Sequence, residues 1–220
     1  MNKLLSLFLA GSLLLASCAK DRISGSGPIS TESRSVSNFT RVTVAGTSKV
    51  QIVQGEDFSV QVKGYTNLHP YFETIVSNNT LVTGYRQGSN ISNDNIEVYI
   101  TMPTLEGARI DGSGNMDVKG NFTGNRMDIA INGSGNVDLE EGTTQSLDAI
   151  VNGSGNIRAF GLRANDADVL ITGSGTTELT ILSHLKAEIT GSGNIYYKGT
   201  PTIERAVSGS GKPVHRPKTK

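Results

Sequence analysis

The chain has 220 residues, enough for one sizeable domain or a short stack of repeats, with 26 glycines, no Trp and only 36% hydrophobic residues. Lys+Arg and Asp+Glu both number 20, so there is no basic field to hold nucleic acid, and that class of function is excluded. Cys18 is the single cysteine, which excludes a disulfide within the chain.

In chain order, Met1-Asn2-Lys3 is a short positive segment, and Leu4 to Leu15 is an apolar run too short to span a bilayer comfortably. The run ends in Leu15-Ala16-Ser17-Cys18, which resembles the lipobox of bacterial lipoproteins. The resemblance implies that residues 1–17 are a signal peptide, cut before Cys18, and that the new N-terminus is acylated. A membrane is then an expected partner, held through lipid at Cys18, and the expected address is the bacterial cell envelope at the outer membrane, with either face open. An ordinary secretory signal with an incidental cysteine is the alternative. Residues 18–37 are rich in Ser, Gly and Arg (Ser24-Gly25-Ser26-Gly27-Pro28) and read as a flexible tether.

The folded body is expected over residues 38–214, with a basic, Pro-broken tail at 215–220. Val42, Val44, Gly46-Thr47-Ser48-Lys49, Val50 and Ile52 lay over Ile129, Ile131, Gly133-Ser134-Gly135-Asn136, Val137 and Leu139 without a gap, so they read as a degenerate first rung. Phe58-Val60-Val62, Leu81-Thr83 and Ile96-Val98-Ile100 alternate and are β-branched, so they read as strands; 67–70 and 87–95 read as turn or loop. No segment carries a convincing amphipathic helix.

Residues 105–214 repeat. Gly-Ser-Gly recurs six times, starting at Gly112, Gly133, Gly153, Gly173, Gly191 and Gly209, in steps of 21, 20, 20, 18 and 18 residues. The motif residues are Gly112-Ser113-Gly114, Gly133-Ser134-Gly135, Gly153-Ser154-Gly155, Gly173-Ser174-Gly175 and Gly191-Ser192-Gly193, with Asn115, Asn136, Asn156 and Asn194 following four of the turns and Thr176 a fifth. Apolar residues alternate on both sides, the period of strands, while glycine supplies the positive φ of a sharp reversal. Each unit reads as strand, corner, strand, second corner. An antiparallel meander would have no reason to repeat the same letters every 20 residues, whereas a solenoid lays like upon like. The expected fold is all-β, a single parallel β-solenoid with divergent N-terminal rungs, in which Ser and Asn form ladders up one corner.

The order of V-x-V-x-G and V-x-I strands, the bridge Ile96-Glu97-Val98-Tyr99-Ile100-Thr101-Met102-Pro103-Thr104-Leu105, and the serial Gly-Ser-Gly turns resembles the autotransporter-adhesin head GIN family, over about Phe39 to Val214. The resemblance implies a right-handed β-helix similar in shape to pectin lyases, with Gly-Ser-Gly at the corner between sheets. It also implies a role in cell-surface adhesion, one inferred from fold.

Three features invite chemistry. Asp128, Asp148 and Asp168 share one offset from their turns and would stack as a row of like charges, which a hard cation such as Ca²⁺ could relieve or solvent could absorb. They are the candidate metal ligands, against an expectation of no metal and no cofactor. The same acids could do acid–base work on a polysaccharide. However, Arg126, Arg158 and Arg163 fall at unlike offsets, His69, His184 and His215 share no motif, and no nucleophile–base pair is legible, so catalytic residues are not expected. Finally, Ala130, Ile150 and Leu170 are out of phase with the core and would form an apolar strip, either covered by another part of the chain or serving as a subunit or partner interface. The expected function is a non-enzymatic envelope lipoprotein that binds a surface glycan or protein, with a homo-oligomeric head as one form. A polysaccharide-processing enzyme and a structural spacer are the alternatives.

Overall fold

A computed structural model describes residues 22–217; the segment 1–17 expected as a signal peptide, and Cys18, lie outside the described residues. It is all-β. The strands, in chain order, are β1 (Arg22–Ser24), β2 (Ile29–Arg34), β3 (Arg41–Gly46), β4 (Lys49–Gln54), β5 (Ser59–Tyr65), β6 (Phe72–Ser77), β7 (Thr80–Tyr85), β8 (Asn90–Ser92) and β9 (Glu97–Met102). They continue with β10 (Gly107–Gly112), β11 (Asn115–Gly133), β12 (Asn136–Gly153), β13 (Asn156–Gly173), β14 (Thr176–Gly191), β15 (Asn194–Lys198), β16 (Thr202–Gly209) and β17 (Lys212–His215). One 3₁₀ turn, His69–Tyr71, interrupts them. Among the described residues no helix is long and apolar enough to cross a membrane.

From β10 onward the strands stack in parallel as a β-solenoid of about five turns. Equivalent letters are neighbours in space: Asn115 pairs with Asn136, Asn136 with Asn156, and Gly133 with Gly153. Each coil has one sharp corner, at Gly-Ser-Gly, and the two glycines serve different needs. Gly133 has φ +136°, and a Cβ there would lie 2.1 Å from the Gly112 carbonyl oxygen of the coil below. Gly135 is buried, and its Cβ would meet the Gly114 carbonyl oxygen at 2.4 Å and Ile110 at 2.8 Å. The first glycine thus allows the left-handed backbone and the second allows the corner to close onto the core. Two amides of the next corner, Ser154 and Gly155, both donate to the Gly133 carbonyl, at 3.0 and 3.1 Å, so the turns bond coil to coil.

The second corner is not a break. β11 to β14 run 16 to 19 residues without interruption and change direction through register shifts, between Val118 and Asn121 on one coil and Ala159 and Arg163 on another. Inside, alternate residues form one core that runs from Phe39 to Ile195 and joins the coils to the N-terminal strands.

β3 and β4 form a parallel rung directly on β10 and β11, with Gly46 opposite Gly112 and Lys49 opposite Asn115. Beyond it the pattern changes. β9 lies parallel on β4, but β5 runs antiparallel to β9, β2 antiparallel to β5, and β6 antiparallel to β7. Antiparallel strands therefore close this end of the stack.

The N-terminal stretch corrects the sequence reading. Residues 18–37 read as a tether, yet β1 pairs with β8, inside the segment 87–95 read as loop, and β2 adds to the sheet edge. A low-hydrophobicity segment can still order when its backbone has a strand edge to bond. Here the inward side chains Ser30, Glu32 and Arg34 are polar and meet a polar site: Ser30 Oγ lies 3.1 Å from His69 Nε2, Glu32 lies 3.7 Å from Nδ1, and Arg34 donates to the His69 carbonyl at 3.4 Å.

Candidate groove on the outer sheet face

The arm of each coil that precedes Gly-Ser-Gly contributes to one outward sheet face. β3, β10, β11, β12, β13, β14 and β16 lie side by side there, and period-two alternation sends every second residue outward. Two outward columns matter. One reads Arg41, Gly107, Asp128, Asp148, Asp168, Lys186, Glu204 across the strands; its neighbour reads Thr43, Arg109, Ala130, Ile150, Leu170, Glu188, Ala206. From Arg41 to Lys186 and from Thr43 to Glu188, both line a single open groove of about 620 Å³. The carboxylate row and the apolar strip are therefore two sides of one feature. Ala130, Ile150 and Leu170 are half-buried, and they form its floor.

The carboxylates do not stand bare. Arg41, on the first rung, reaches across the intervening strand to pair with Asp128. It can do so because the residue between them is Gly107, where a Cβ would meet the Arg41 guanidinium at 2.9 Å. Arg126, two residues before Asp128 on β11, donates to it through Nε at 2.9 Å and places Nη2 2.5 Å from Asp148 Oδ2. That second contact is an ion pair without hydrogen-bond alignment, since Asp148 Oδ2 is buried with no aligned donor. Lys186 gives its ammonium to Glu188 at 2.8 Å, and Arg109 pairs with Asp111 at 2.8 Å. Among the described residues Asp168 makes no ion pair within 4 Å.

These neighbours push the row in opposite directions. Burial raises the Asp128 carboxyl, but hydrogen bonds and charge from Arg41 and Arg126 outweigh it and hold Asp128 below its ordinary value. Burial also raises Asp148; Arg126 opposes, Asp128 and Asp168 on either side add to the rise, and the net shift is upward. Among the described residues no three His, Cys, Asp or Glu side chains converge as a metal site. The charges beside Asp128 and Asp148 are guanidiniums, from Arg41 and Arg126; of the other arginines at unlike offsets, Arg158 pairs with Asp138 away from the row and Arg163 makes no ion pair with it.

The corner carries the other polar array. Asn136 Nδ2 donates to Asn115 Oδ1 at 2.8 Å, Asn156 to Asn136 at 2.9 Å, and the Thr176 hydroxyl to Asn156 at 2.6 Å. A second polar file, not legible from the motif, runs from Asn152 to Asn132 to Asp111, in the column two residues beyond Ile150, Ala130 and Arg109. The serines differ from expectation. Ser113, Ser134, Ser154 and Ser174 are exposed, and the serine pair that bonds side chain to side chain is Ser192 with Ser210, at 3.2 Å. A hydroxyl pointing into water gains little from its neighbour below, whereas each half-buried amide needs a partner.

The structure also brings together a nucleophile-type trio missed in the sequence: Ser30, His69 and Glu32. His69 is 2% exposed and lies under β2, so this trio fastens the N-terminal strand and opens on no cleft. Only the fold, which sets residue 30 beside residue 69, could reveal it.

Comparison with known proteins gives a consistent answer. The family described as "Putative auto-transporter adhesin, head GIN domain" matches residues 38–201. A solved structure named a putative adhesin, from Bacteroides fragilis, superposes with TM-score 0.70 at 25% identity, over 89% of this chain and 99% of that one. A putative lipid binding protein from Parabacteroides distasonis gives 0.60 at 24%, and a putative adhesin from Parabacteroides merdae gives 0.57 at 22%. Each of these covers 89% of this chain, with 100% and 99% of its own length, and each speaks to the fold alone. No curated protein matches the chain.

Proposed function

The chain belongs to the family of the putative auto-transporter adhesin head GIN domain, and from that premise we propose that it is a non-enzymatic binding module of the bacterial cell envelope. Its contact face is the groove on the outer sheet. The observation that carries this is the union of a half-buried apolar floor, Ala130, Ile150 and Leu170, with a charged row in one open groove. The three floor residues sit on β11, β12 and β13, each bonded on both sides, so their geometry is set before a partner arrives, and little conformational entropy remains to be lost on binding. The body is held to the membrane by lipid on Cys18, the first residue after the signal peptide. The relative named as an adhesin supports the same reading.

Labelled protein added to intact cells and to purified surface glycans and proteins tests the contact face. Saturable binding should be lost in Ile150→Glu and Leu170→Glu and kept in a variant of the opposite sheet, Asp138→Asn. Binding that survives both groove substitutions would remove the groove from the mechanism. For the anchor, Cys18→Ala should shift the protein from the membrane to the soluble fraction; continued sedimentation with membranes would refute attachment at Cys18.

A further inference from the structure

The groove's charge balance identifies the kind of partner it fits. Three carboxylates, Asp128, Asp148 and Asp168, share two guanidiniums in direct ion pairs, Arg41 and Arg126; Arg109 is paired with Asp111, and Lys186, which feels the charge of Asp168 from the next strand, places its ammonium on Glu188. The deficit of positive charge falls at Asp148 and Asp168, on neighbouring strands about 4.8 Å apart. Beside these two acids, on the same strands, lie Ile150 and Leu170. A ligand for this spot therefore needs an aliphatic stretch that ends in a cation. Lysine and arginine side chains have that build, since they bury their methylene stems along apolar surface and hold the charge at the tip.

Resting on the contact face proposed above, we infer that the groove receives Lys or Arg side chains from a basic, extended polypeptide segment, with stems over Ile150 and Leu170 and head groups at Asp148 and Asp168. Other partner classes fit less well. No aromatic ring lines the groove, so a sugar would find no plane to stack on, and an anionic headgroup would meet the Asp168 carboxylate, which has no ion pair among the described residues. Arg126 occupies the position the incoming cation would take at Asp148, as a resident competitor. Burial first, and then the carboxylates on either side, hold the Asp148 carboxyl above its ordinary value despite Arg126.

The competitor gives the test its signature. Fluorescently labelled oligolysine is titrated with the purified full-length protein, with the glutamine and glutamate oligomers as neutral and acidic comparators. Oligolysine alone should bind saturably and weaken as salt is raised. Asp168→Asn and Leu170→Ser should each weaken it by roughly fivefold or more, the loss expected of one charge or one stem contact. Arg126→Gln should tighten it. The matched controls Asp138→Asn and Arg158→Gln change charge by the same amount on the other sheet, where these two side chains pair with each other, and should leave the affinity unchanged. Equal effects from the matched controls would show bulk electrostatics and overturn the inference, as would groove variants that leave the titration untouched. If cell binding is lost in Ile150→Glu while oligolysine ignores the groove variants, the contact face stands and its ligand is not a basic polypeptide. A neutral oligosaccharide competing at the groove would overturn the inference in the same way.

Discussion

Single side chains mark where the repeat departs from its own rule. Thr177 occupies a core position in line with Met116, Val137, Ile157 and Ile195, is fully buried, and its hydroxyl has no partner. A buried hydroxyl without a bond carries its desolvation cost uncompensated. Thr177→Val, nearly the same shape without the hydroxyl, should therefore raise stability by about 1 kcal/mol in denaturant unfolding; a loss would mean that the hydroxyl is satisfied in solution. Ser48 is similar: it stands where later coils have the second glycine, and its buried hydroxyl is also unpartnered. In the groove the acids predict a pH response. Asp128 is depressed, so its contribution to stability is complete above the ordinary carboxylate range and is lost as pH falls through its lowered value. Asp148 is raised, so its ionisation works against the fold, and it takes up a proton first as pH falls, relieving that opposition. Asp128→Asn should accordingly lower the melting temperature at neutral pH and flatten its fall in acid, while Asp148→Asn should hold or raise it. Melting curves from neutral pH down to below the carboxylate range would check both, and identical curves for the two variants would contradict the assignment.

At the scale of the strand, the two ends of the stack are finished differently. Antiparallel β2, β5 and β6 close the N-terminal end, with β2 fastened through His69. The other end stops at β16, whose residues are all exposed, Ile203 and Val207 among them. Between these two, in line with the buried Ala187, stands Arg205. A charge at an inward position and a proline on a neighbouring edge strand, here Pro213 in β17, are ways to stop a sheet from taking another strand. Arg205→Val would join Ile203 and Val207 into one unbroken apolar row on an open edge. It should produce concentration-dependent association in light scattering where the unsubstituted protein produces none; a variant as monodisperse as its parent would argue that the edge is blunted by other means.

For the whole molecule, the decisive property is continuity. The buried residues of the antiparallel cap and of the coils form one cluster, from Phe39 through Val60, Val98 and Ile129 to Ile195. Coils that share a core and corner hydrogen bonds lose their neighbours' support together, so unfolding should be a single transition with matching calorimetric and van 't Hoff enthalpies. Separate melting of residues 22–102 would show that cap and solenoid are distinct units. The same continuity makes the outer face a fixed array, which suits recognition that depends on spacing from coil to coil.

Periodicity made the stack, the corners and the columns readable from the chain, because a repeat of about 20 residues with like letters at like offsets has one economical packing. Aligning Asp128, Asp148 and Asp168, and beside them Ala130, Ile150 and Leu170, needed nothing further. What the sequence could not supply was everything that breaks the period. Arg41 meets Asp128 across 87 residues, over a glycine whose purpose is invisible until the guanidinium lies on it. Residues 22–34 looked like tether because their composition is polar, yet they become strand because a sheet edge and a buried histidine wait for them. Local pattern determines which side chains face in and which face out; long side chains, open edges and non-repeating ends choose partners by distance in space, which only the folded chain defines.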